Sequence, residues 1–142
     1  MVIITKENLK AVPNGENAYQ NIISINGQTI EISIEPDDVD IEETIGLANK
    51  IIKKFEHYES QARKIIIQEF LDNYNENWTD EEDGMLELNE KGFNENLTLY
   101  AITFRSNCSI DFFYSENGMF GDHSLIAQSF DGENFDAATM FG

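Results

Sequence analysis

The chain has 142 residues, 41% of them apolar and 11% aromatic, enough to build one sizeable core and too rich in aromatics for a disordered acidic segment. Twenty-seven acidic side chains against nine basic ones leave a formal charge of −18, which argues against nucleic acid or an anionic membrane as partner and favours a basic protein. A lone Cys108 allows no internal disulfide, and no apolar run suits a signal peptide or a bilayer span, so a cytoplasmic location is expected.

Residues 1–18 form an N-terminal segment of a single domain spanning 1–142. The stretch 19-YQNIISINGQTIEISIEP-36 then alternates apolar and polar residues on both sides of Asn26-Gly27, a dipeptide suited to the positive φ angles of a type I′ turn, and predicts a β-hairpin. In its second arm Ile30, Ile32 and Ile34 share one face while Glu31, Ser33 and Glu35 share the other. Beyond the acidic turn at 37–40, apolar residues from Ile41 to Phe70 recur at three- and four-residue steps, which is helical spacing. One helix over that whole stretch would run roughly 50 Å at 1.5 Å per residue, too long for so small a domain, so two helices are predicted. Their break is placed near 56-EHYES-60, with Ser60 capping the second.

The segment 76–96, dominated by Asp, Glu and Asn, reads as an acidic loop with room for a short helix. Three strands follow at 97-LTLYAITFR-105, 109-SIDFFYS-115 and 123-HSLIAQSF-130, joined by turn-rich links that suit a meander. The tail 131–142 is expected to dock on the sheet edge. Strands and helices segregated in this way predict an α+β fold: an antiparallel sheet, made of the N-terminal hairpin and the C-terminal three-stranded meander, with two helices packed on one face.

The C-terminal half, with Asp111, Phe112, Phe113 and Tyr114 ending a strand, Phe120, Gly121, His123, Ser124 and Leu125 in 120-FGDHSLIAQ-128, and Gly132, Asp136, Ala137 and Gly142 closing the chain, resembles the bacterial domain of unknown function 2262 family. The hairpin and helical stretch are similar too, so the likeness covers most of the chain. Asp122 between Gly121 and His123, and a single Trp in 72-DNYNENW-78, depart from the family pattern. The resemblance implies a cytoplasmic bacterial protein with an α+β fold and carries no activity.

Asp122-His123 invites a catalytic reading, yet adjacent residues on a strand point to opposite faces and cannot bond directly. His123 is therefore expected to bond a turn carbonyl or Asp111; a catalytic version requires His123, Asp111 and Tyr114 to converge in a cleft, and their places on adjacent strands of the meander predict that they do. Asp80, Glu81, Glu82 and Asp83 are consecutive, which lacks the alternating ligands of a calcium loop, and two His with one Cys do not make a zinc site. No phosphate-binding glycine motif and no hydrolase elbow occurs, so no cofactor or metal is expected.

What remains is charge. Five of the nine bases, Lys50, Lys53, Lys54, Arg63 and Lys64, fall within fifteen positions, whereas residues 65–142 hold sixteen acids and two bases. The expected function is a non-catalytic cytosolic interaction module, of the immunity or antitoxin type, that meets a basic protein through Trp78, Asp80, Glu81, Glu82, Asp83 and Asp122; Phe93 and Tyr100 are further candidate anchors, and each of the three aromatics is equally a core candidate. The alternatives are a small-ligand binder or enzyme with a pocket around His123, Asp111 and Tyr114, and a homodimer paired through an edge strand.

Overall fold

The computed structural model describes residues 3–13 and 17–142; Met1, Val2, Asn14, Gly15 and Glu16 of the N-terminal segment lie outside the described residues. Among the described residues seven strands form one sheet in chain order: β1 (Lys10–Ala11), β2 (Tyr19–Ile25), β3 (Gln28–Glu35), β4 (Thr98–Arg105), β5 (Ser109–Ser115), β6 (Ser124–Ser129) and β7 (Phe135–Phe141). The hairpin forms as its sequence dictates, with Asn26 at φ 52° and Gly27 at φ 80° between β2 and β3.

Two corrections concern the sheet. The β3 and β4 strands pair in parallel, Ile32 opposite Ile102 and Ile34 opposite Phe104, so the sheet is mixed. The whole helical segment lies between these two strands and returns the chain to the end where β3 began; such a crossover gives parallel neighbours, and alternation within each strand cannot reveal it. The tail is also a full strand, which makes the meander four-stranded. Its turn is held by Asp131, whose carboxylate accepts from the Glu133 and Asn134 amides, both at 2.8 Å, and from Asn134 Nδ2 at 3.0 Å. These donors, the Asn134 side chain first among them, hold the Asp131 carboxyl below the usual carboxylate range. Glu133 pairs with Lys50 and accepts from Tyr58 Oη at 3.3 Å, tying the turn to the helices.

The helices are α1 (Ile41–Lys53), α2 (Phe55–Asn77) and the short α3 (Glu90–Glu95). The break falls at Lys54 (φ −119°, ψ 42°), ahead of the predicted site, and Ser60 sits inside α2. Nothing in EHYES opposes helix, whereas the packing requires a change of direction: α1 lies against β3 and β4, and α2 against β6 and β7. Glu42 and Glu43 in the first turn of α1, and Lys50 and Lys53 in the last, match its dipole. Thr44 Oγ1 donates to the Ser106 carbonyl at 2.7 Å, and the Asn49 amide brackets Ile4 through its N–H and C=O, which anchors both ends of α1.

Both long helices cover the same face. Ile30, Ile32, Ile34, Ile102, Phe104, Ile110, Phe112, Leu125 and Phe135 meet Ile45, Ile51, Phe55, Tyr58 and Ile66 in one continuous core. Among the described residues the opposite face carries no helix. There Ile22 and Tyr100 are exposed, and Arg105 joins Glu35 and Asp111 in a surface ion network. Among the described residues no helix is long and apolar enough to cross a membrane.

Candidate interaction surface

The β5–β6 connection must reverse within eight residues, and four of them, Asn117, Gly118, Gly121 and Asp122, adopt positive φ. A buried carboxylate organises it: Glu116 accepts from the Gly118 amide at 2.8 Å and from the Phe120 amide. Phe120 is thereby driven fully into the core, where its ring meets Trp78, Tyr74, Phe70 and Phe93 at centroid distances of 5.4, 5.8, 5.9 and 6.3 Å. His123 Nδ1 donates to the Phe120 carbonyl, and the imidazole edge faces Trp78 at 6.3 Å.

Trp78 caps the C-terminus of α2. Its indole Nε1 donates to Asn73 Oδ1 at 3.1 Å, and 39% of the residue stays exposed. Immediately beyond, the Asp80 carboxylate accepts from the Glu82 amide at 3.1 Å and caps the 3-10 turn Glu81–Asp83. Asp80 and Met85 exchange backbone hydrogen bonds of 2.7 and 2.8 Å, and Gly84 closes the turn at φ 78°. The acidic run is therefore an ordered knuckle with exposed Glu81, Glu82 and Asp83. Asn75 pins the returning chain through both the amide and the carbonyl of Leu88, leaving Leu86 exposed beside the turn.

This end is strongly acidic, with Lys64 and Lys91 at its border sharing surface clefts with Asp72 and Glu90. From residue 65 to residue 90 the sequence contains nine acids and no Lys or Arg. Asp72 and Glu76 belong to the last turns of α2, where the helix dipole already presents its negative end. The charge thus accumulates where it costs stability and where a cation would be most attracted.

The predicted residues fall into two groups. Trp78, Asp80, Glu81, Glu82, Asp83 and Asp122 share this end of the molecule, linked through the Trp78–His123 contact. Tyr100, 41% exposed, reaches Ser124 Oγ from the open face at 2.6 Å. Phe141, opposite Ser124 across β7 and 68% exposed, joins the same end. The small and apolar tail residues predict docking at the sheet edge without marking a strand, and the edge position makes Phe141 a surface residue. Of the two readings open for Phe93, exposed anchor or core, the structure gives core: the packing of α3 on α2 buries it completely against Tyr74 and Phe120.

His123, Asp111 and Tyr114 do not converge. Asp111 faces the helix-free side of β5, held by Arg105 at 3.5 Å and Gln128 at 3.3 Å. Tyr114, three residues on, points into the core, where its hydroxyl donates to Glu59 Oε2 at 2.9 Å. Asp111 pairs with Gln128, five residues from His123, about 16 Å along the strand direction at ~3.3 Å per residue. Burial, with the Glu59 charge adding to it, pushes the Tyr114 hydroxyl well above its ordinary value, which suits a structural tyrosine. Cys108 is a free, half-buried thiol. Among the described residues, no group of three or more His, Cys, Asp or Glu side chains is placed to hold a metal ion.

A family model described as an uncharacterized protein conserved in bacteria (DUF2262) matches residues 12–140, nearly the whole chain. The chain belongs to the DUF2262 family. No curated protein and no solved structure matches it. In this DUF2262 chain the stretch 120-FGDHSLIAQ-128 is explained by its geometry: Phe120 fills the core, Gly121 turns at φ 73°, His123 locks the turn, and Leu125 and Ala127 enter the core from β6.

Proposed function

We propose that this chain is a non-catalytic, cytosolic interaction module of bacteria, of the immunity or antitoxin type, which receives a basic protein on its Trp78 end. The observation that carries the reading is a half-exposed indole at the negative terminus of α2, rimmed by the acidic knuckle Asp80 to Asp83 and by Asp122. Charge draws a cationic partner to this end, and Trp78 and Leu86 supply the desolvated contact that charge alone lacks. Among the described residues no hydrogen bond at this end joins a nucleophile to a base, and the separation of His123, Asp111 and Tyr114 speaks against a pocket formed by these three.

Affinity capture from the cells that make the protein tests this reading. At low salt a basic protein is expected to be retained and then released by about 0.5 M salt, where the screening length is only a few Å. A variant carrying Asp80→Asn, Glu81→Gln, Glu82→Gln and Asp83→Asn, which keeps the turn-capping oxygen, is expected to retain about tenfold less. Retention that ignores both salt and the variant, or no basic protein at all, contradicts the proposal.

A further inference from the structure

The two edges of the sheet are finished differently. On one side β1 covers Tyr19 and Gln20 of β2, and Asn21 Oδ1 takes the Ile22 amide at 2.8 Å. On the other side, among the described residues, β7 has no neighbour beyond it. An antiparallel ladder uses alternate amides and carbonyls, so β7 bonds β6 with one set and directs the other outward. Its stretch 137-AATMF-141 contains no lysine, no proline and no charge, the devices that normally blunt an edge. The one irregularity in its pairing lies before that stretch, opposite Gln128 and Ser129.

Acids stand at both ends of the bare edge. Exposed Asp131 and Asp136 precede it, and exposed Asp122 lies beside its end, where Gly142 rests against His123 and Asp122. The edge therefore runs directly into the Trp78 surface.

We infer that the free edge of β7 is a docking rail for an extended, Lys- or Arg-bearing segment of the partner, added to the sheet as an eighth strand. The inference rests on the interaction reading above. Main-chain hydrogen bonds along β7 supply affinity, and Asp122, Asp131 and Asp136 select a cationic segment. A second copy of the chain brings another −18 and sets acid near acid at the strand ends, so charge favours the cationic segment over self-pairing.

A short peptide alternating Lys and Val, added to the full-length chain at low salt, tests the inference by hydrogen exchange and by the fluorescence of Trp78. Exchange of amides within 137–141 is expected to slow about tenfold, and a fully N-methylated peptide of the same sequence to bind about tenfold more weakly. Equal binding of the N-methylated peptide overturns the rail, because charge alone then holds it. Protection confined to 78–87 with altered fluorescence overturns the rail and leaves the Trp78 surface standing. Protection of 137–141 that grows with protein concentration without peptide assigns the edge to a second copy and overturns it equally. No change in exchange or in fluorescence overturns both readings.

Discussion

Phe120→Ala is expected to lower the unfolding free energy by about 3–5 kcal/mol, in the range of buried aromatic truncations. Phe120 is fully buried and meets four aromatic rings drawn from α2, its C-terminal cap and α3. Its removal opens a cavity bounded by large rings fixed on helices, which cannot collapse to fill it. Urea unfolding of wild type and variant measures the difference. The exposed Phe141→Ala is the matched control and is expected to shift stability by less than about 1 kcal/mol. A Phe120→Ala loss below about 2 kcal/mol would show that the β5–β6 turn is not the keystone of this end. Because Trp78 packs edge-on against Phe120, the variant should also change the Trp78 emission of the folded protein.

Arg63→Met is expected to cost about 3 kcal/mol, at the low end for breaking a buried ion pair because both partners keep about a sixth of their side chains exposed. The guanidinium donates to Glu59 at 2.6 Å, to the Asn94 carbonyl and side-chain oxygen at 3.1 and 3.0 Å, and to the Leu97 carbonyl at 3.1 Å. It also stacks over the Tyr114 ring at 5.2 Å. One side chain thus joins α2 to the end of α3, the start of β4 and the middle of the sheet. Its loss takes a donor from the Leu97 carbonyl and from Asn94 Oδ1, while the Asn94 carbonyl keeps the Leu97 amide, and it leaves the Glu59 carboxylate with only the Tyr114 hydroxyl. Arg63→Lys is expected to recover less than half, since an ammonium cannot span these acceptors. Glu59→Met added to Arg63→Met should restore part of the loss by removing the stranded charge, and thermal unfolding of the three variants checks the order. A lysine variant as stable as wild type would contradict this account.

Much of the fold was legible because its signals are local. Asn26-Gly27 marks the hairpin, helical spacing marks 41–77, and alternation marks β4 to β6. The parallel pairing of β3 with β4 was not legible, since it depends on where the helices return the chain. The break at Lys54 likewise follows from the angle between two helices packed on different strands, and no residue type near it announces the change. On the candidate surface, composition and position single out Trp78, the acidic run and Asp122, and Trp78 meets His123, the neighbour of Asp122. The expected convergence of His123, Asp111 and Tyr114 is overturned by the strand's own period: an odd spacing along β5 puts Asp111 and Tyr114 on opposite faces. The fate of Phe93 was not, because an acidic loop gives no sign that a six-residue helix will bury its one aromatic.

The account stands on Trp78 as the anchor of a surface that attracts cations, and titration calorimetry of the captured basic partner with wild type and Trp78→Ala tests it most directly. A loss of about 2 kcal/mol, roughly thirtyfold in affinity, is the predicted result for an aromatic hot spot at the centre of an interface. Affinity within about twofold of wild type, in a variant that remains folded, would contradict it.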